Sequence, residues 1–186
     1  MIRPTAVPFN IVTLGTYQLT GDLSFPSVIG TAAINILGGL TGPIVLDLEG
    51  FTISGDVTPG SFAIVIGAAP VSSPITIKNG TIQNFVYGVY GNNLSKLTIN
   101  KVNFLINILR PFAPSSPTGV LFQNVNSSTI SNCVFTNETV GIQDTNTAGG
   151  NRYVNDSFVF NETPLEISLN LQRPSFLVKD CEFAAP

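Results

Sequence analysis

A short turn motif that returns six times constrains this chain more than any other feature. An apolar anchor is followed two positions later by a turn-former, then by a small or apolar residue, and then by a large apolar one. The copies are Leu48-Glu-Gly-Phe-Thr-Ile53, Ile77-Lys-Asn-Gly-Thr-Ile82, Ile99-Asn-Lys-Val-Asn-Phe104, Ile130-Ser-Asn-Cys-Val-Phe135, Val154-Asn-Asp-Ser-Phe-Val159 and Val178-Lys-Asp-Cys-Glu-Phe183. Anchors at 48, 77, 99, 130, 154 and 178 lie 29, 22, 31, 24 and 24 residues apart. A period in this range, with one turn held constant and loops varying elsewhere, is the signature of a solenoid.

Most anchors end a short alternating run, such as Ile75-Thr-Ile77 and Leu97-Thr-Ile99, whose period of two predicts a strand with one buried face. Gly50, Asn79, Asn132, Asp156 and Asp180 are the residues expected to bend the chain, because they tolerate left-handed backbone angles. A second run in each repeat begins at Gly88-Val89, Gly119-Val120 and Gly141-Ile142, with Leu165-Glu-Ile167 in the corresponding place. Two or three strands per repeat follow. No run of ten or more residues keeps helical spacing free of Gly, Pro, Asn and β-branched residues, so a βαβ fold is excluded. Equivalent residues at matching repeat positions favour a solenoid over a sandwich.

The chain of 186 residues is long enough for one domain with its own core. Only 10% of residues are charged against 44% hydrophobic, where soluble domains average about 25% charged, so an unusually uncharged surface is expected. The eight Lys and Arg are scattered and the net charge is −3, which gives no basic stripe for a phosphate backbone and excludes nucleic acid as an expected partner. Apolar runs are broken every few residues, far below the ~20 needed for a membrane helix. Two prolines sit where a secretory signal would carry its apolar core, so the expectation is either no signal or a mature chain. The expected location is extracellular or on a cell or particle surface.

The Ile-x-Asn-Cys/Gly-x-Phe/Ile turn resembles that of the right-handed parallel β-helix repeat proteins, the superfamily that includes the pectate lyases. The resemblance covers residues 44 to 186, and Gly15-Thr-Tyr-Gln-Leu-Thr-Gly-Asp-Leu23 is similar to the segment that caps the first rungs. It implies an all-β, single-stranded right-handed parallel β-helix of about six to seven rungs over residues 15–186, with an extended arm over residues 1–14. Catalytic members cleave acidic polysaccharides by Ca²⁺-assisted elimination or by hydrolysis, both of which need charges converging on one outer sheet. This chain has no histidine, and its eleven acids are thinly spread; no catalytic residue, metal or cofactor is expected. Arg110-Pro111 resembles an arginine-proline element of the lyases, but no second arginine lies near it. Asp156 and Asp180 are expected at one rung position, as a turn ladder about 4.8 Å apart. Cys133 and Cys181 are expected two rungs apart with Ser157 between them, filling an interior row with Gly80 and Val102. At about 9.6 Å they are too far apart for a disulfide.

Six Asn-x-Ser/Thr sequons occur. Asn79 sits in a tight turn and reads as structural, whereas Asn93, Asn126, Asn137, Asn155 and Asn161 remain open as glycan acceptors. The ends are the main functional clue. The chain reaches Phe183, Ala184, Ala185 and Pro186 with no capping helix, and the apolar arm carries Ile2, Arg3, Val7 and Phe9. Together they predict head-to-tail stacking of subunits into a filament or surface layer, with these eight residues as the assembly interface. The competing expectation is a carbohydrate-binding or polysaccharide-cleaving β-helix of the surface or viral spike type. Among its four tyrosines, Tyr17, Tyr87, Tyr90 and Tyr153, the pair Tyr87 and Tyr90 flanks one groove and contacts sugar.

Overall fold

The computed structural model describes residues 2–26, 28–67, 73–106, 116–145, 149–168 and 176–184. Arg110, Pro111, Ala185 and Pro186 lie outside them. The described residues are all-β, with no helix, and every strand pairing is parallel. The strands form one seven-stranded and one twelve-stranded sheet, an arrangement compatible with a solenoid.

The strand pairing sorts the described strands into seven successive sets, termed circuits, each starting with one strand of the seven-stranded sheet and continuing through two rows of the larger one. Circuit one holds β1 (Phe9–Ile11), β2 (Gly15–Gln18) and β3 (Leu23–Ser24), and circuit two β4 (Ala32–Ile36), β5 (Ile44–Asp47) and β6 (Thr52–Ser54). In circuits three and four both rows belong to one bent strand: β7 (Phe62–Ile66) leads to β8 (Ile75–Gln83), and β9 (Tyr87–Ser95) to β10 (Leu97–Leu105). Circuit five has β11 (Thr118–Asn126), β12 (Thr129–Ser131) and β13 (Val134–Thr136), and circuit six β14 (Val140–Thr145), β15 (Asn151–Val154) and β16 (Ser157–Val159). Circuit seven is β17 (Thr163–Ile167), β18 (Phe176–Lys179) and β19 (Glu182–Ala184). Strands of circuits two to six pair with their counterparts in the circuits before and after, and those of circuits one and seven with the single adjoining circuit, so stabilisation passes between nearest neighbours.

The repeat therefore starts earlier than residue 44. Gly15–Gln18 pairs residue for residue with Ile44–Asp47, which makes that segment a full layer instead of a cap. Phe9–Ile11, within the stretch read as an arm, pairs with Ile34–Ile36, because Phe9 and Ile11 alternate about Asn10 and Ile11 is fully buried.

Register also corrects two anchors. Leu46, Ile77, Ile99, Ile130, Tyr153 and Val178 are the residues in line; Leu48 and Val154 fall two and one places late. Tyr153 points inward and is fully buried while Val154 is half-buried, since only one residue of an alternating pair can face the core. The same slip moves the acids. Ser157 pairs with Val134 and Glu182, so Asp156, not Ser157, lies between Cys133 and Cys181. Asp180 aligns with Asn155, and the expected Asp156–Asp180 ladder does not form. Both cysteines are free.

The bend between the two rows uses a left-handed residue in each circuit from two onward: Glu49 and Gly50, Asn79, Lys101, Asn132, Asn155 and Asp180 all have positive φ. Inside, columns of like residues stack. Phe104, Phe135, Phe158 and Phe183 overlap face to face at 4.8, 5.0 and 5.2 Å. Facing them is a column of glycines: an added Cβ at Gly88, Gly119 or Gly141 would lie 2.8, 2.6 or 2.7 Å from the phenylalanine of its own circuit.

Candidate functional site

A concavity of about 430 Å³ lies on the outer face of the seven-stranded sheet across circuits one to four. Its aromatic wall comes from Phe62 on β7 and Tyr90 on β9; its polar wall from Asn10 on β1, Asn35 on β4 and Thr31. Pro8, Gly30, Ala32 and Val65 complete the lining.

Local backbone explains why both tyrosines face outward although they are three residues apart. Gly88 and Val89, between them, are both buried, so the alternation skips one place and Tyr87 and Tyr90 emerge on the same side. Phe62 bridges them, stacked on Tyr87 at 4.9 Å and tilted to Tyr90 at 5.6 Å. Such ring pairs add about 0.5–1.5 kcal/mol beyond their buried area and hold the wall rigid. The Tyr90 hydroxyl donates to Gln123 Oε1 at 2.7 Å, and burial raises its pKa, so the phenol stays a donor and the ring presents a face. Tyr87 and Tyr90 thus lie on one side of the sheet, but only Tyr90 lines the groove; Tyr87 stacks on Phe62 outside the lining. The partners Phe62, Asn10 and Asn35 were not legible, because stacked positions 25 and more residues apart are related only through register. Tyr17 and Tyr153 are 2% and 0% exposed and belong to the core.

The two ends are unequal. Ile2 forms a parallel bridge to Tyr17, donating to Thr16 O and accepting from Gln18 N, both at 3.0 Å. Val7 and Phe9 pack against the core, and Arg3 is exposed. The first circuit's Tyr17, Leu19 and Leu23 are consequently buried. In the seventh circuit Phe176, Leu177, Val178 and Phe183 are 43%, 36%, 37% and 54% exposed, and Ala184 is exposed too.

Three buried acids in circuits five and six serve the interior. Asp156 Oδ1 accepts from Cys133 N at 2.9 Å while Oδ2 has no partner. Asp144 Oδ2 accepts from Tyr153 Oη at 2.5 Å and Asn151 Nδ2 at 2.9 Å. Burial pushes Asp156 up to about 6 and Glu138 well above the ordinary carboxylate range, and it drives the Cys133 thiol up to about 12, leaving an unreactive thiol. Asp47 goes the other way: although burial raises it, its bonds to Lys78, Glu49 N and Asn79 prevail and hold it low.

A carboxyl whose pKa is raised on folding contributes stability that is complete below its unfolded value, near 3.8, and lost as pH rises through about 6. Urea midpoints should therefore fall from about pH 4 to about pH 7, and Asp156→Asn, which keeps the acceptor for Cys133 N, should flatten that slope. A midpoint constant across this range in the parent chain would contradict the burial of these acids.

Of the sequons, Asn93 and Asn155 are exposed and Asn126 and Asn137 half-buried. Asn161 is 2% exposed, with Oδ1 accepting from Glu138 N and Nδ2 donating to Phe135 O, which leaves no room for a glycan and removes it from the acceptors. Asn79 donates to Asp47, in keeping with its structural reading.

Among the described residues no three His, Cys, Asp or Glu side chains group so as to hold a metal ion, and no helix is long and apolar enough to cross a membrane. The groove lining contains no acid, no base and no nucleophile–base pair. Comparison with protein-family models, with curated proteins and with solved structures returned no match.

Proposed function

We propose that this chain is a carbohydrate-binding right-handed parallel β-helix of seven rungs, acting outside the cell or on a particle surface. Parallel strands of one sheet joined by crossovers are right-handed in almost all proteins, which supports the handedness. The observation that carries the function is the groove across circuits one to four, where half-buried Phe62 and Tyr90 share one sheet face with the Asn10 and Asn35 amides and Tyr87 backs Phe62 from outside the lining. Concave sites with a rigid aromatic face and a few placed polar groups are how proteins hold small polar ligands, and sugars offer both a C–H face and hydroxyls. A glycan array should give hits that Tyr90→Ala weakens at least about tenfold, about 1.4 kcal/mol, with circular dichroism unchanged. Hits indifferent to Tyr90→Ala would reject the site.

A second reading, self-association head to tail into an extracellular filament or surface layer, is favoured by the exposed apolar seventh circuit. The contact would set that circuit on the Ile2–Phe9 overlay of the next copy, a heterologous contact that does not close. Electron microscopy of concentrated protein should then reveal fibres that Phe183→Asp abolishes. Monomers at every concentration would dismiss it.

A further inference from the structure

We infer that the groove takes a neutral oligosaccharide lying parallel to the stacking axis, one ring on Phe62 and Tyr90 and two adjacent hydroxyls on Asn10 and Asn35. The inference rests on the carbohydrate reading and deepens it.

Direction comes from register. Asn10 pairs with Asn35, Asn35 with Val65 and Val65 with Tyr90, so these four outward residues form one ladder. At about 4.8 Å per strand, Asn10 and Tyr90 are about 14 Å apart, more than one sugar ring can bridge. Across the strands the floor is closed, because the residues flanking this ladder, Ile34, Ile36, Ile64 and Ile66, all face the core.

Neutrality comes from the lining, which holds no Lys, Arg, Asp or Glu among the described residues. A uronic acid seated there would give up hydration with no opposite charge to offset it. Charge enters the same ladder only at circuit seven, where Glu166 accepts from Gln143 at 2.9 Å.

The hydroxyl preference comes from the amides. Asn35 Nδ2 donates to Asn10 Oδ1 at 3.1 Å, which fixes both side chains and leaves the Asn10 amino group and the Asn35 carbonyl oxygen as a neighbouring donor and acceptor. Two adjacent hydroxyls, one accepting and one donating, satisfy both. The other end of the groove offers chiefly ring faces: Phe62 has no polar atom, and the Tyr90 hydroxyl has given its proton to Gln123.

The test is an array of neutral and uronic-acid oligosaccharides from one to six units, followed by calorimetry on the best hits with the intact chain. Neutral oligomers should bind at least about tenfold better than their monosaccharide and better than uronic-acid oligomers of equal length. Asn10→Ala and Asn35→Ala, both on the outer surface, should each reduce the advantage of the longer oligomer over the monosaccharide while circular dichroism stays unchanged. Uronic-acid oligomers that bind more tightly, and lose binding in Tyr90→Ala, would overturn neutrality while leaving the carbohydrate reading intact. Equal affinity for monomer and oligomer would overturn the axial pose. No binding in either series would overturn both the inference and the reading beneath it.

Discussion

Phe135→Ala should lower the unfolding free energy by about 3–5 kcal/mol, the range for emptying a fully buried aromatic site. Phe135 is 0% exposed and sandwiched between Phe104 at 4.8 Å and Phe158 at 5.0 Å. The wall opposite is Gly119, which has no side chain with which to fill the hole, so relaxation is limited and the upper half of the range is expected. Urea denaturation of the two proteins measures it. A loss under about 1 kcal/mol would mean that the column collapses freely and is not packed as described.

Gly119→Ala should also be destabilising, for the opposite reason. Its Cβ would stand 2.6 Å from Phe135 Cδ1 and 2.7 Å from the carbonyl oxygen of Gly141, and overpacking of this kind costs about 1–3 kcal/mol or more. Phe135→Leu in the same chain should recover only part of the loss, since the second clash is with the backbone of the next circuit. Gly21→Ala provides the control: nothing lies within 4 Å of its added Cβ, so a change within about 0.5 kcal/mol is expected. Equal effects at Gly21 and Gly119 would point to backbone entropy in place of packing.

The two substitutions expose a size rule. Circuits two and three place Ile53 and Ile82 in the corner column and Ala33 and Ala63 in the facing one; circuits four to six place Phe104, Phe135 and Phe158 there, opposite Gly88, Gly119 and Gly141. Large and small are exchanged in step, so each layer keeps a similar filled volume.

Much of this was visible in the sequence. Ile77, Ile99 and Ile130 repeat with one strong turn between rows, and Gly88-Val89, Gly119-Val120 and Gly141-Ile142 mark a strand start that the register reproduces. Circuit one was missed because Leu19 and Leu23 are one residue closer together than Leu48 and Ile53, which hid the pattern. The slip at Val154 arose because valine resembles the usual anchor better than tyrosine does, although the interior there accommodates Tyr153 by giving its hydroxyl Asp144 as a partner. For the groove, Tyr90 was legible beside Tyr87 because they share one strand, although Tyr87 falls outside the lining. Asn10, Asn35 and Phe62 were not, since the loops between circuits vary in length and only the completed pairing reveals which residues are neighbours.

The groove draws its lining from circuits one to four, whereas the buried acids belong to circuits five and six. Groove shape and length are therefore separable properties: whole turns could be inserted or deleted beyond Gln123, lengthening or shortening the stack by about 4.8 Å each, while the groove stays as it is. Selection or engineering could use such a stack as an adjustable spacer that sets how far the grooved layers stand from its other end.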